Sequence, residues 1–180
     1  MNDPRLDSGI GGRVAILFHP SLVPILDVFR ALGAPDESFS MQPLDGPERD
    51  LAKYTCPEAA KAIVSDAMLL AFALARQRTR PLAHRPLYSR QGSADEYCLM
   101  TLVGASRCPD TELAFEACAA LDVPSLEFMT ALAADLLRQM DIARLPLETP
   151  SVADFRSVVS DSPFFADLLD RTGHLSGFRF

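Results

Sequence analysis

Hydrophobic positions recur at every third or fourth residue along most of this chain, and that period predicts helices. Arg13 to Phe18 is a short apolar run that reads either as strand or as a first helical turn, and His19-Pro20 interrupts it. Ser21 then suits an N-cap and Pro24 a first turn, with Leu22, Ile25, Leu26, Phe29 and Leu32 repeating helically up to Gly33. Residues 34–54 hold three prolines and no sustained period, so they read as loop. Thr55-Cys56-Pro57-Glu58 has the form of a capping box with proline in the first turn, and predicts a helix over 57–79. Its polar stripe of Glu58, Lys61 and Ser65 continues as Leu69 and Phe72, and from Ala67 onward the helix is apolar all round, as a central buried helix would be.

Pro81 and Pro86 bracket the next connection, and Ser93-Ala94-Asp95-Glu96 is a second capping box opening a helix through Ser106. Within it, Cys98 to Val103 can also be read as a buried strand. Asp110 is placed to cap a short helix to Leu121, and the cleanest helical arc follows at Leu126, Met129, Leu132, Ala133, Leu136, Leu137 and Met140. Ser151 precedes Val152, Phe155, Val158 and Val159, and Ser162-Pro163 opens a last apolar turn closing at Gly173. The expected fold is all-α, a compact single-domain bundle of about six or seven helices over residues 13–180 behind a flexible leader at 1–12. The alternative is α+β, with short strands near 13–18 and 98–103.

Composition narrows the function classes. The 180 residues are 48% hydrophobic, enough for a real core, and the net charge of −7 disfavours general attraction to nucleic acid or anionic lipid. The N-terminal residues carry acids where a secretory signal needs a basic start, and the longest apolar run, Ala67 to Ala75, is about half a membrane span. The chain therefore reads as cytoplasmic, with no membrane and no nucleic-acid partner expected, and its four cysteines as free thiols.

Few features carry chemistry. Cys56 and Cys108 each precede a proline at a helix start, where the helix dipole favours thiolate, so both are candidate thiol or haem ligands. The plainer reading is that proline belongs at helix starts and a small residue precedes it. Cys98 and Cys118 fall on apolar rows and read as packing residues. No cysteine or histidine spacing matches a zinc or di-iron helix, so no metal is expected. Gly9-Ile10-Gly11-Gly12 precedes its apolar run, the wrong order for a phosphate loop. Asp66, on a mostly apolar helix, is the one acid with the setting of a catalytic carboxyl.

The connection between Ala75 and Gln91 is the sharpest signal. Five of the chain's 17 cationic residues lie there, Arg76, Arg78, Arg80, Arg85 and Arg90, with His84 and without one acid. Such a cluster can grip phosphates or carboxylates, and it can equally cap a helix C-terminus and solvate a loop. With no catalytic set legible, the expected function is that of a small accessory or regulatory protein of bacterial type. It would act by protein–protein contact through the connector 76–90. The alternatives are a haem- or thiol-linked ligand binder using Cys56 and Cys108, and an enzyme whose site is gathered from distant residues.

Overall fold

The computed structural model describes residues 15–33, 44–108 and 111–160, and these form an all-α bundle. A 3-10 turn, Pro20–Leu22, leads into seven helices: α1 Val23–Gly33, α2 Asp45–Leu51, α3 Pro57–Gln77, α4 Ala94–Ala105, α5 Glu112–Ala120, α6 Leu126–Ile142 and α7 Val152–Ser160. The expected helices at 22–33, 57–79, 93–106, 110–121 and 126–140 are all present, and no strand forms at 98–103. The leader and the apolar turn beyond Ser162 lie outside the described residues.

Local chemistry differs from the expectation at several helix starts. Ser21 is not an N-cap: its hydroxyl pairs with His19 Nδ1 at 2.8 Å, and the His19 ring caps the 3-10 turn. The Thr55–Glu58 box does not form either, because Cys56 is the N-cap of α3 and makes no side-chain cap bond. Thr111 caps α5 through Ala114 N–H. The box at Ser93 and Glu96 forms in full. Residues 45–51 lie in the stretch whose prolines predict loop, yet they form α2, a helix short enough that Gly46 and Pro47 hide its period.

Packing follows two groups. Helices α1, α2 and α3 pack on one another, α4 packs on α5, α6 and α7, and α3 against α6 joins the two. The helix surrounded on all sides is not α3. Leu69 and Phe72 on that helix are 50% and 36% exposed, so the polar stripe does continue outward as apolar surface. The enclosed helices are α1, buried from Val23 through Arg30, and α4, buried from Cys98 through Ala105. An apolar circumference predicts burial, and α4 has one; α1 instead buries a charge pair, Asp27 and Arg30.

The expected strand near 13–18 is reduced to extended backbone over 15–18. Phe18 N–H donates to Arg90 C=O and Gly92 N–H to Ile16 C=O, each at 2.9 Å, which makes one antiparallel bridge between Leu17 and Gln91. Ile16 and Phe18 turn inward while Leu17 is 64% exposed, the alternation of a strand.

Candidate functional site

The arginine connector is strapped down by acids on α1 and α4. Arg30, buried on α1, has all five guanidinium N–H groups engaged. Nε and Nη2 donate to the two oxygens of Glu96 at 2.6 and 3.2 Å. Nη1 donates to Asp27 at 3.0 Å and to Ser89 C=O at 2.9 Å, and Nη2 reaches Gln91 C=O at 3.2 Å. Burial alone would lower the pKa of Arg30, but the hydrogen bonds and charge of Glu96 and Asp27 outweigh it and raise it. Asp27 moves the other way: burial pushes its carboxyl up, and bonds from Arg30 and Tyr88 N–H only partly restore it. Tyr88, whose N–H donates to Asp27, stands in a left-handed conformation, φ 65°, that a bulky residue rarely adopts.

Asp95 and Glu96 stand in the first turn of α4, where the helix dipole favours acids. Asp95 accepts from Arg78 at 2.6 Å, from Ala83 N–H at 2.9 Å and from both terminal nitrogens of Arg80 at 3.3 Å. Glu96 accepts from Ser93 N–H and Arg85 N–H. Arg78 and Arg80 therefore converge on an internal carboxylate. Arg78 is buried, which lowers its pKa, and its Nη1 finds no partner among the described residues. Arg76 and His84 face solvent. Arg85 and Arg90 are exposed, each donating Nε to a carbonyl, of Gly92 and Phe18 respectively.

Beside this strap runs a cleft of about 690 Å³. One wall is the extended segment 15–19, with Arg90 at its edge; the other is the loop 146–151; the floor is α4, through Tyr97, Met100 and Thr101. Asp154 and Val158 of α7 also line it. Each wall sits close to a glycine. A Cβ on Gly92 would overlap the Phe18 ring and stand 2.9 Å from Ile16 Cγ2, and one on Gly104 would stand 2.6 Å from Thr149 Oγ1. The absent side chains let both walls lie directly against α4 and the turn that starts it. Each wall thus packs its side chains directly against glycine backbone.

The cysteines lie elsewhere. Cys56 and Cys108 are exposed and line neither this cleft nor a smaller one of about 240 Å³ beside Tyr54 and Tyr88. Cys98 and Cys118 are buried, which pushes their thiols up to about 12 and about 11. Asp66 is half-buried on α3; burial and then the charge of Asp135 raise its carboxyl, and Arg138 opposes them. Among the described residues no group of three or more His, Cys, Asp or Glu is placed to hold a metal ion. No helix of the described residues is long and apolar enough to cross a membrane.

Sequence reasoning missed Arg30, its pairing with Glu96, and the groove. The one local signal was a charged pair, Asp27 and Arg30, three residues apart inside an apolar helix; its partner Glu96 stands 66 residues away. No known protein family matches the chain, and no curated protein or solved structure does either.

Proposed function

We propose that this is a small accessory or regulatory protein, acting in a reducing, cytoplasmic compartment by docking a protein partner in the groove over α4. The observation that carries this reading is a largely apolar groove whose walls pack against the backbone of Gly92 and Gly104 and whose edge carries main-chain groups at Leu17 that have no partner among the described residues. A docking surface that exists before its partner arrives loses less freedom on binding. The connector then has a structural part, Arg78 and Arg80, and a recognition part, Arg90, which alone of the six cationic residues read from the sequence lines the groove. Four free thiols accord with a reducing compartment, and the net charge of −7 with a partner other than nucleic acid.

A photo-crosslinking residue placed at Leu17 or Glu148, both exposed on the groove walls, is expected to trap one protein in cells. The same group at Ser65, exposed on α3, should not trap it. The trapped protein, once purified, should bind the wild-type chain and bind Leu17→Arg at least about tenfold more weakly, the effect of roughly 1.4 kcal/mol. Equal trapping at Ser65, or equal affinity for Leu17→Arg, would remove the groove from the account. The groove's volume also falls within the range of small-ligand sites. A small molecule retained by the purified chain in native mass spectrometry would favour that reading.

A further inference from the structure

Resting on the docking reading above, we infer that the groove takes one extended segment of the partner, added as a strand to the free edge at Leu17 and carrying a carboxylate for Arg90. The bridge geometry sets the first half of this. Residues 16 and 18 turn their main-chain groups toward 90–92, so Leu17 turns its N–H and C=O to the opposite edge, where they find no partner among the described residues. Leu17 lines the groove, so a guest seated there meets an open strand edge. A helical guest laid along the groove has no free main-chain groups on its side, and would cover the Leu17 N–H while leaving it unpaired. An extended guest pairs it, and its alternate side chains fall on the apolar floor around Tyr97 and Met100.

The second half comes from charge. Arg90 donates Nε to Phe18 C=O at 3.3 Å, which fixes the guanidinium at the Leu17 end of the wall. Its two terminal nitrogens have no partner among the described residues, and they are the pair that takes a carboxylate end-on. The other lining charges, Glu148 and Asp154, belong to the opposite wall and α7, and repel an acid from those sides. The carboxylate of the guest is thereby directed to Arg90.

The probe is a peptide acetylated at its N-terminus and amidated at its C-terminus, alternating valine and threonine over about six residues, a typical strand length, and ending in aspartate; its twin ends in asparagine and carries no carboxylate. Titrated into the full chain, the aspartate peptide should bind about tenfold more tightly than its twin, the effect of one charge-assisted contact. Arg90→Gln should abolish that difference. Leu17→Pro removes the outward N–H while leaving both bridge bonds in place, and should weaken binding about tenfold at unchanged Tm. Leu17→Ala trims the same side chain but keeps the N–H, so it is the reference against which the loss from Leu17→Pro is read and should weaken binding less. Equal binding of the twins, no binding of either, or indifference to Leu17→Pro would overturn the inference. So would binding of a peptide copy of residues 161–180 in place of the acidic probe, since the groove would then belong to the chain's own C-terminal segment. If the crosslinked partner is lost with Leu17→Arg but kept with Leu17→Pro and Arg90→Gln, the docking reading stands and this inference falls.

Discussion

Replacing Arg30 by methionine is expected to destabilise the protein by about 3–5 kcal/mol, a fall of roughly 10 °C in Tm for a chain of this size. The cause is not the loss of one ion pair. Asp27 and Glu96 are 3% and 0% exposed, and without the guanidinium both carboxylates would stay buried with only amide donors. The Ser89 carbonyl would lose its donor and the Gln91 carbonyl would keep only the longer bond from Ser89 Oγ, leaving Tyr88 N–H on Asp27 as the connector's remaining hydrogen bond to α1. Glu96→Gln alone should cost less, since the amide oxygen still accepts from Ser93 N–H in the capping box. The double variant should be less destabilised than the two singles added together, because the groups act as one network. Thermal melts of the three variants measure this; additive effects would mean that Arg30 and Glu96 do not share their stabilisation.

Gly92→Val should separate folding from function. Its side chain would occupy the space of the Phe18 ring and of Ile16, so the extended segment must lift off the turn before α4. Overpacking of this kind costs about 1–3 kcal/mol. The helices do not depend on the bridge, so the helical circular dichroism should persist while binding in the groove is lost. Gly104→Ala is a milder probe of the opposite wall. Alanine favours the helix by up to about 1 kcal/mol, and Thr149 Oγ1 can rotate aside, so stability should change little while the loop shifts. A Gly92→Val chain that binds the groove's partner normally would show that the wall needs no backbone contact.

Helix placement was legible because it depends on residues three and four apart. The capping box at Ser93 and the long arc of α6 needed nothing from the rest of the chain. The enclosed helix was less legible: α3 and α4 both have apolar circumferences, and only tertiary contact leaves Leu69 and Phe72 on the outside of α3. The arginine cluster could be seen, but not its partners, since Arg78 meets Asp95 across 17 residues and Arg30 meets Glu96 across 66. The groove's walls were legible only as an apolar run at 13–18 and the stretch that precedes Ser151. What joins them is close approach at Gly92 and Gly104, and glycine announces that a side chain is absent, not what stands in its place.

Amide hydrogen exchange at Leu17 tests the central claim most directly. In the free protein Phe18 and Gly92 N–H, both bridged, should exchange slowly, and Leu17 N–H, on the free edge, should exchange fast. Bound to the aspartate-ended peptide, Leu17 should become as protected as its neighbours. Protection of Leu17 before any partner is added, or none after the groove is saturated, would contradict an open strand edge awaiting an extended guest.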